Sequence, residues 1–284
     1  METAQRELAD ALRALHSASD GRALVLPNAW DAASAALIAQ AGARAIATTS
    51  GGVAWSAGRP DGHGLTREEM AAAVRRIADA VDVPVSADIE GGYGPGADDV
   101  AATVRAVIAA GAVGVNVEDS QAPGGPLYDV SAQAVRLSAA RSAAEETGLP
   151  GLWINARTDV FLFGIGAAEE RVEHVLTRAK AYADAGADSL FVPGLVDLDT
   201  VAELVRRSPL PVNVMTGPGA PPVTAFEAVG VRRVSVGTAL AQTAYGTVQR
   251  AAAELLDAGT YDAMRGAADF GTVNNAVTAA HAAR

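Results

Sequence analysis

Apolar positions along the chain fall into two kinds of segment that alternate from end to end. Short runs rich in valine, isoleucine and leucine stand at 23–27, 43–49, 83–87, 112–118, 151–157, 188–193, 210–215 and 231–237. Each is bounded by glycine, proline or polar residues, which is the pattern of a strand buried on both faces. Between them lie alanine-rich stretches with helical spacing at 31–41, 66–80, 97–110, 131–147, 167–185, 197–207 and 222–229. The phrase Ala-Gly-Ala closes three of the helical stretches, at 41–43, 110–112 and 185–187. Glycine there suits a left-handed residue at a helix end.

Eight strand-like runs alternating with helices predict an α/β fold of the (β/α)8 TIM-barrel type, with a doubly wound open sheet as the rival. No linker-like stretch divides the chain, so the expectation is one domain over 1–284. Residues 238–284 are surplus helical sequence, interrupted by Gly246, Gly259, Gly266 and Gly271, and predict a C-terminal extension that packs on a neighbouring subunit. The first sixteen residues form a charged amphipathic helix and not a signal peptide, and no apolar run reaches membrane-spanning length. The chain therefore reads as soluble and cytoplasmic.

Composition removes several function classes. The net charge is −11, from 33 acidic and 22 basic residues, which disfavours nucleic acid and anionic membranes as partners. There is no cysteine, so disulfides, thiolate metal sites and cysteine nucleophiles are excluded. Lys180 is the single lysine, and the four histidines show no metal-ligand spacing.

In an α/β barrel the reactive face lies at the C-terminal ends of the strands. The second run leads into Thr48, Ser50, Gly51, Gly52 and, further on, Asp61. The third leads into Asp88 and Glu90, the fourth into Asn116, Glu118 and Asp119, the fifth into Asn155, Arg157 and Asp159, and the seventh into Asn213. Singly, a loop aspartate is a turn former or helix cap, an arginine neutralises a carboxylate, and a glycine pair is a turn. Together, Asp61, Asp88, Glu90 and Glu118 place like charge at one mouth, and it needs compensation from a basic side chain, water or a metal. A hard dication with oxygen ligands answers this best. Mg²⁺ keeps its waters and uses few direct carboxylates, and Mn²⁺ is the alternative. Such a site accepts a 2-oxo acid, with Arg157 forking onto its carboxylate and the backbone around Ser50, Gly51 and Gly52 approaching the same anion.

The segments PNAWDAASA, ATTSGGVAWSAGRPDG, VPVSADIEGGYG, AVGVNVEDS and INARTDV, in that order, resemble the isocitrate lyase/phosphoenolpyruvate mutase superfamily. The resemblance spans about Leu24 to Gly237. It implies a (β/α)8 barrel, Mg²⁺, a homotetramer with an exchanged C-terminal helix, and small 2-oxo-acid or hydroxy-acid substrates. It also implies Asp88 as metal aspartate, with Asp61, Glu90 and Glu118 holding the metal or its waters. Thr48, Ser50, Gly51, Gly52, Asp88, Arg157 and Asn213 become the substrate-binding set, and Arg157, Glu118 and Ser50 the catalytic one. His63 and Tyr93 are further nominees for the base.

The chain departs from the family pattern where the leaving group is handled. The loop after Glu118 and Asp119 reads SQAPGGPLYD, without the cysteine of the lyases or the lysines and asparagine of the phosphonate enzymes. That loop, 120–129, reads equally as a lid or a surface turn. Three functions follow in order of expectation: a Mg²⁺-dependent lyase working through an enolate, by C–C cleavage or decarboxylation; phosphoenolpyruvate mutase or phosphonopyruvate hydrolase chemistry; and a non-catalytic barrel that binds an oxo acid.

Overall fold

A computed structural model describes residues 2–17 and 21–282. The ends of the expected 1–284 domain, including 283–284 of the extension, lie outside the described residues. One parallel sheet runs through the chain. Its strands are β1 (Leu24–Leu26), β2 (Asn28–Ala29), β3 (Ile46–Thr48), β4 (Val85–Asp88), β5 (Gly114–Glu118), β6 (Trp153–Arg157), β7 (Ser189–Val192), β8 (Val212–Met215) and β9 (Arg233–Ser235). The sheet order is β1-β9-β8-β7-β6-β5-β4-β3-β2. Its two ends are consecutive in the chain, separated only by Pro27, which has no N–H to give a ladder. β1 pairs with β9 and β2 with β3, so the broken first strand closes the sheet into an α/β TIM barrel.

Each predicted strand run overlaps an observed strand and each predicted helical stretch a helix, with β4 and α6 reaching one residue beyond the predicted ranges. In chain order the helices are α1 (Glu2–His16), α2 (Ala32–Gln40), α3 (Ser50–Ser56), α4 (Arg67–Ala78), α5 (Ala97–Ala109), α6 (Val130–Glu146), α7 (Arg171–Asp184), α8 (Leu198–Arg207), α9 (Val223–Ala228), α10 (Ala239–Asp257) and α11 (Phe270–Ala282). The glycines of the Ala-Gly-Ala phrases, Gly42, Gly111 and Gly186, have φ of 95°, 100° and 92°, the left-handed helix ends expected of them. Small residues such as Ala140, Ala143 and Ala144 of α6 are fully buried and let the helix ring sit close to the strands. Among the described residues no helix is long and apolar enough to cross a membrane.

α1 docks against the barrel at the N-terminal ends of the strands. Leu12 is fully buried, and a Cβ added to Gly114 of β5 would sit 2.9 Å from it. His16, the last residue of α1, stacks on Trp153 of β6 at 3.9 Å with an interplanar angle of 12°. Its Nδ1 pairs with the Leu12 carbonyl at 2.9 Å.

α3 corrects the sequence reading, which treats Ser50, Gly51 and Gly52 as a loop. They form the first turn of a helix, and Gly51 and Gly52 are buried. Glycine is a poor helix former, so local preference argues against this element. Close packing requires it. A Cβ at Gly51 would lie 2.8 Å from the Thr238 methyl and 3.0 Å from Asp61 Oδ2, and one at Gly52 would lie 2.8 Å from both Thr49 and Trp30.

Candidate active site

The C-terminal ends of the strands open on a cavity of about 210 Å³. Thr48, Ser50, Asp61, Asp88 and Arg157 from the predicted set line it, joined by Asn116 and Arg233. Asp88 ends β4 and is held from three sides. Its Oδ2 accepts from the Ser50 N–H at 3.1 Å, its Oδ1 accepts from Asn116 Nδ2 at 3.1 Å, and its own N–H donates to Thr48 Oγ1 at 2.8 Å.

A chain of polar side chains inside the barrel sets the Asn116 amide. Trp153 Nε1 donates to Ser189 Oγ at 2.8 Å, which donates to Asn155 Oδ1 at 2.6 Å. Asn155 Nδ2 then donates to Asn116 Oδ1 and to Asn213 Oδ1, each at 3.0 Å. The inward-facing polar residues of β5 to β8 thus pair among themselves and fix one orientation of the Asp88 carboxylate. Asn213, expected in the substrate set, belongs to this interior network and is not among the residues lining the cavity. Its Nδ2 donates to the carbonyls of Val214 and Arg233.

The four predicted metal acids divide. Asp61 and Asp88 line the cavity. Glu90 is buried in the loop after β4, with φ of 49°. Its carboxylate accepts from the His63 backbone N–H and, at 3.0 Å, from the Tyr93 hydroxyl. Burial pushes Glu90 up to about 7, against the His63 hydrogen bond, and the Asp88 charge adds to the rise. Glu118 ends β5 and pairs with Arg157 Nη1 at 2.8 Å. Burial raises its pKa; Arg157 pulls the other way, and Asp159, Asp88 and Glu90 push up again. Glu90 and Glu118 therefore each feel neighbouring carboxylates, as like charge at one mouth should. Among the described residues, however, no group of three or more acidic or histidine side chains is arranged to hold a metal ion. Of the four acids expected to hold a metal or its waters, Asp61 and Asp88 line the cavity, while Glu90 and Glu118 are engaged by protein groups.

Arg157 is also more occupied than its sequence reading implies. Its Nε donates to Asp159 Oδ1 at 2.6 Å and its Nη2 to Asp159 Oδ2 at 3.2 Å, while Nη1 faces Glu118. The side-on fork predicted for a substrate carboxylate is taken by Asp159. Burial opposes the charge of Arg157, but Glu118 and Asp159 outweigh it and keep the guanidinium protonated.

Sequence reasoning passed over several supports. Arg136 of α6 reaches the carbonyls of Gly91, Gly94, Pro95 and Gly96 and anchors the whole turn after Glu90. Asp119, fully buried, accepts from Tyr182 at 2.8 Å and Arg178 at 3.1 Å. Asp159 accepts from Ser120 Oγ at 2.6 Å, tying the mouth of β6 to the start of the 120–129 loop. That loop closes on itself through an antiparallel bridge between Ser120 and Leu127 and packs Pro123 against Gly62. Arg233 had no sequence signal, because an arginine opening a strand reads as an exposed end.

A closed barrel with its acids, arginines and amides gathered at the C-terminal mouth is the build of a TIM-barrel enzyme acting on a small polar substrate. The comparisons narrow this. Residues 12–256 match the family Phosphoenolpyruvate phosphomutase. The chain belongs to that family, within the isocitrate lyase/phosphoenolpyruvate mutase superfamily of enzymes. It is 32% identical over 218 residues to the 2-methylisocitrate lyase of Bacillus subtilis, covering 74% of this chain and 68% of that one. A solved structure from Burkholderia cenocepacia J2315 is 38% identical with a TM-score of 0.88 over 96% of each chain. The phosphoenolpyruvate phosphomutase of Streptomyces platensis subsp. rosaceus is 26% identical with a TM-score of 0.84, over 97% of this chain and 96% of that one.

Proposed function

We propose that the protein is a Mg²⁺-dependent lyase that breaks a bond next to a 2-oxo acid, by C–C cleavage or decarboxylation through an enolate. The observation that carries this is the Asp88 carboxylate. It faces a small cavity, and among the described residues its Oδ2 accepts only the Ser50 N–H, while its Oδ1 accepts from Asn116 and, at 3.4 Å, from the Glu90 N–H. An all-oxygen donor set with Asp61 alongside fits a hard cation that keeps most of its waters. Asp88 would hold Mg²⁺ (or Mn²⁺) directly and Asp61 would hold its waters. When bound, the ion supplies Lewis-acid polarisation of the substrate's C2 oxygen.

The protein's own groups do the rest. Thr48, Asn116 and the first turn of α3 fix Asp88, so the carboxylate needs no reorganisation when the ion or substrate arrives. Ser50 faces the cavity from the same turn and is the near hydroxyl for the acid group of the substrate. Arg157 lines the wall as a fixed positive charge. Glu118, whose pKa burial raises against the pull of Arg157, stands at the end of β5 in its pair with Arg157 and is the nominee for the group that returns a proton to carbon. The 120–129 loop, braced through Ser120 and Asp159, excludes water from that side.

The chain works as one barrel domain over 1–284, in the cytoplasm, as a homo-oligomer in which the 238–284 extension is exchanged between copies. The apolar residues exposed on α10 and beyond support this, as does an apolar groove lined by Val25, Leu37, Ile38 and Leu240.

A pyruvate-release assay tests the reading with oxaloacetate, 2-methylisocitrate, dimethylmalate and phosphonopyruvate, each with Mg²⁺ and with EDTA. EDTA-sensitive release from a carbon acid, lost at least 10³-fold in Asp88→Ala with the melting temperature held, is the expected result. Release from phosphonopyruvate alone would move the protein to phosphonate chemistry. Tight oxo-acid binding without turnover would make it a binding barrel.

A further inference from the structure

Arg233 opens β9 and projects into the barrel. It lines the same cavity as Asp88 and Arg157, is 3% exposed, and its Nε and Nη1 have no hydrogen-bond partner. Buried guanidinium groups are normally satisfied, because the desolvation of an ion is recovered only through partners. Other enclosed arginines are held by partners, Arg171 included through its Nη2 although its Nε has none. Arg136 is held by four carbonyls, Arg178 by Asp119, Tyr128 and Tyr182, and Arg157 by Asp159 and Glu118. Arg233 has no carboxylate within ion-pair distance among the described residues. The Asp88 carboxylate is taken up by Ser50 and Asn116 instead, and reaches Arg233 only as a charge at longer range.

We propose that Arg233 receives a second anionic group of the substrate, so that the site selects a dicarboxylate over the monocarboxylate that shares its 2-oxo or 2-hydroxy end. The proposal rests on the 2-oxo-acid reading and adds the charge of the far end. Electrostatic balance favours it. The charge of Arg157 is already matched by two carboxylates, whereas that of Arg233 faces open cavity. The space suits a small acid, since about 210 Å³ holds roughly seven waters. Ser86 of β4 lines the same cavity, and its Oγ also lacks a partner, so the cavity offers a neutral donor as well as the cation. Burial lowers Arg233 to about 9, with Asp88 pulling it back up, so it remains a cation at neutral pH. The bland alternative is that water alone fills this space and Arg233 only stabilises the fold.

Calorimetric titration in Mg²⁺ buffer separates the two, using pyruvate and the matched pair lactate and malate, which differ by one carboxylate. The wild-type protein should bind malate at least tenfold more tightly than lactate, the scale of one charge-assisted hydrogen-bonded contact. Arg233→Met should erase that preference while changing lactate and pyruvate affinity less than threefold. An equal loss for all three ligands would assign Arg233 a structural role and overturn the proposal, as would a malate preference that survives the substitution. Should circular dichroism show Arg233→Met unfolded, Arg233→Lys takes its place. The preference must then fall severalfold, and an unchanged preference overturns the proposal. A wild-type protein that binds pyruvate but does not favour malate sinks the role of Arg233 alone. One that binds none of the three sinks the oxo-acid reading, and the proposal with it.

Discussion

Arg157 shows how far a single residue's role depends on its neighbours. From the sequence it is a lone cation beside several acids, and a substrate fork is the natural assignment. In the fold, Asp159 takes the side-on edge and Glu118 an Nη1 hydrogen, so the residue is first an internal neutraliser. Removing it leaves Asp159, whose side chain is fully buried, and Glu118 facing each other without a cation. Arg157→Met should therefore destabilise the protein by about 3–5 kcal/mol in urea unfolding. Stability within about 1 kcal/mol of wild type would show that the pair carries little weight in the fold. The place of Asp88 at the mouth was legible, because an acid ending a buried strand run has few bland explanations. Asn213 was harder to place, because an inward amide can serve a ligand or a neighbour, and here Asn155 and the Arg233 carbonyl use it.

At the scale of elements, α1 and α3 are instructive. α1 was legible from its amphipathic pattern, but its docking through His16 on Trp153 was not. Burial and the Arg233 charge lower His16 to about 3. The unfolded chain binds this proton below about 6.5 and the native state does not. The stabilising contribution is therefore full above 6.5 and is lost as pH falls toward 3, at up to about 1.4 kcal/mol per unit. His16→Phe keeps the stack and removes the titration. Its urea midpoint should fall less steeply than that of wild type between pH 6.5 and 4. Parallel curves would mean that His16 does not govern acid sensitivity. α3 was hidden because its two glycines disfavour helix locally, while Thr238, Asp61, Thr49 and Trp30 leave no room for any side chain there.

For the whole molecule, the open question is what covers the C-terminal helices. Val248, Leu256, Tyr261 and Phe270 are 64%, 86%, 67% and 85% exposed, an apolar surface out of keeping with a monomer. A second copy is the proposed cover, since the groove beside α2 and these residues belong to the same chain and can satisfy each other across a symmetry axis. Light scattering should give a multimer for the full chain and a smaller species for one ending at Val236. A monomer at micromolar concentration with unchanged stability on truncation would refute the exchanged extension.

Strand and helix periodicities and glycine at helix ends are local features, and their repetition was enough to read an alternating α/β fold and to favour a barrel over an open sheet; the pairing of β1 with β9 and β2 with β3 closed it. The convergence of Asp88 and Arg157 was also readable, because strand ends on the same side of a parallel sheet face one mouth, where Asp61 joins them from the loop after α3. How those charges are shared could be read only from the folded structure. Hydrogen-bond pairing depends on distances of a few tenths of an ångström between residues far apart in the chain. The engagement of Glu90 by His63 and Tyr93, the capture of Arg157 by Asp159, and the isolation of Arg233 inside the barrel arise from packing that no local pattern encodes.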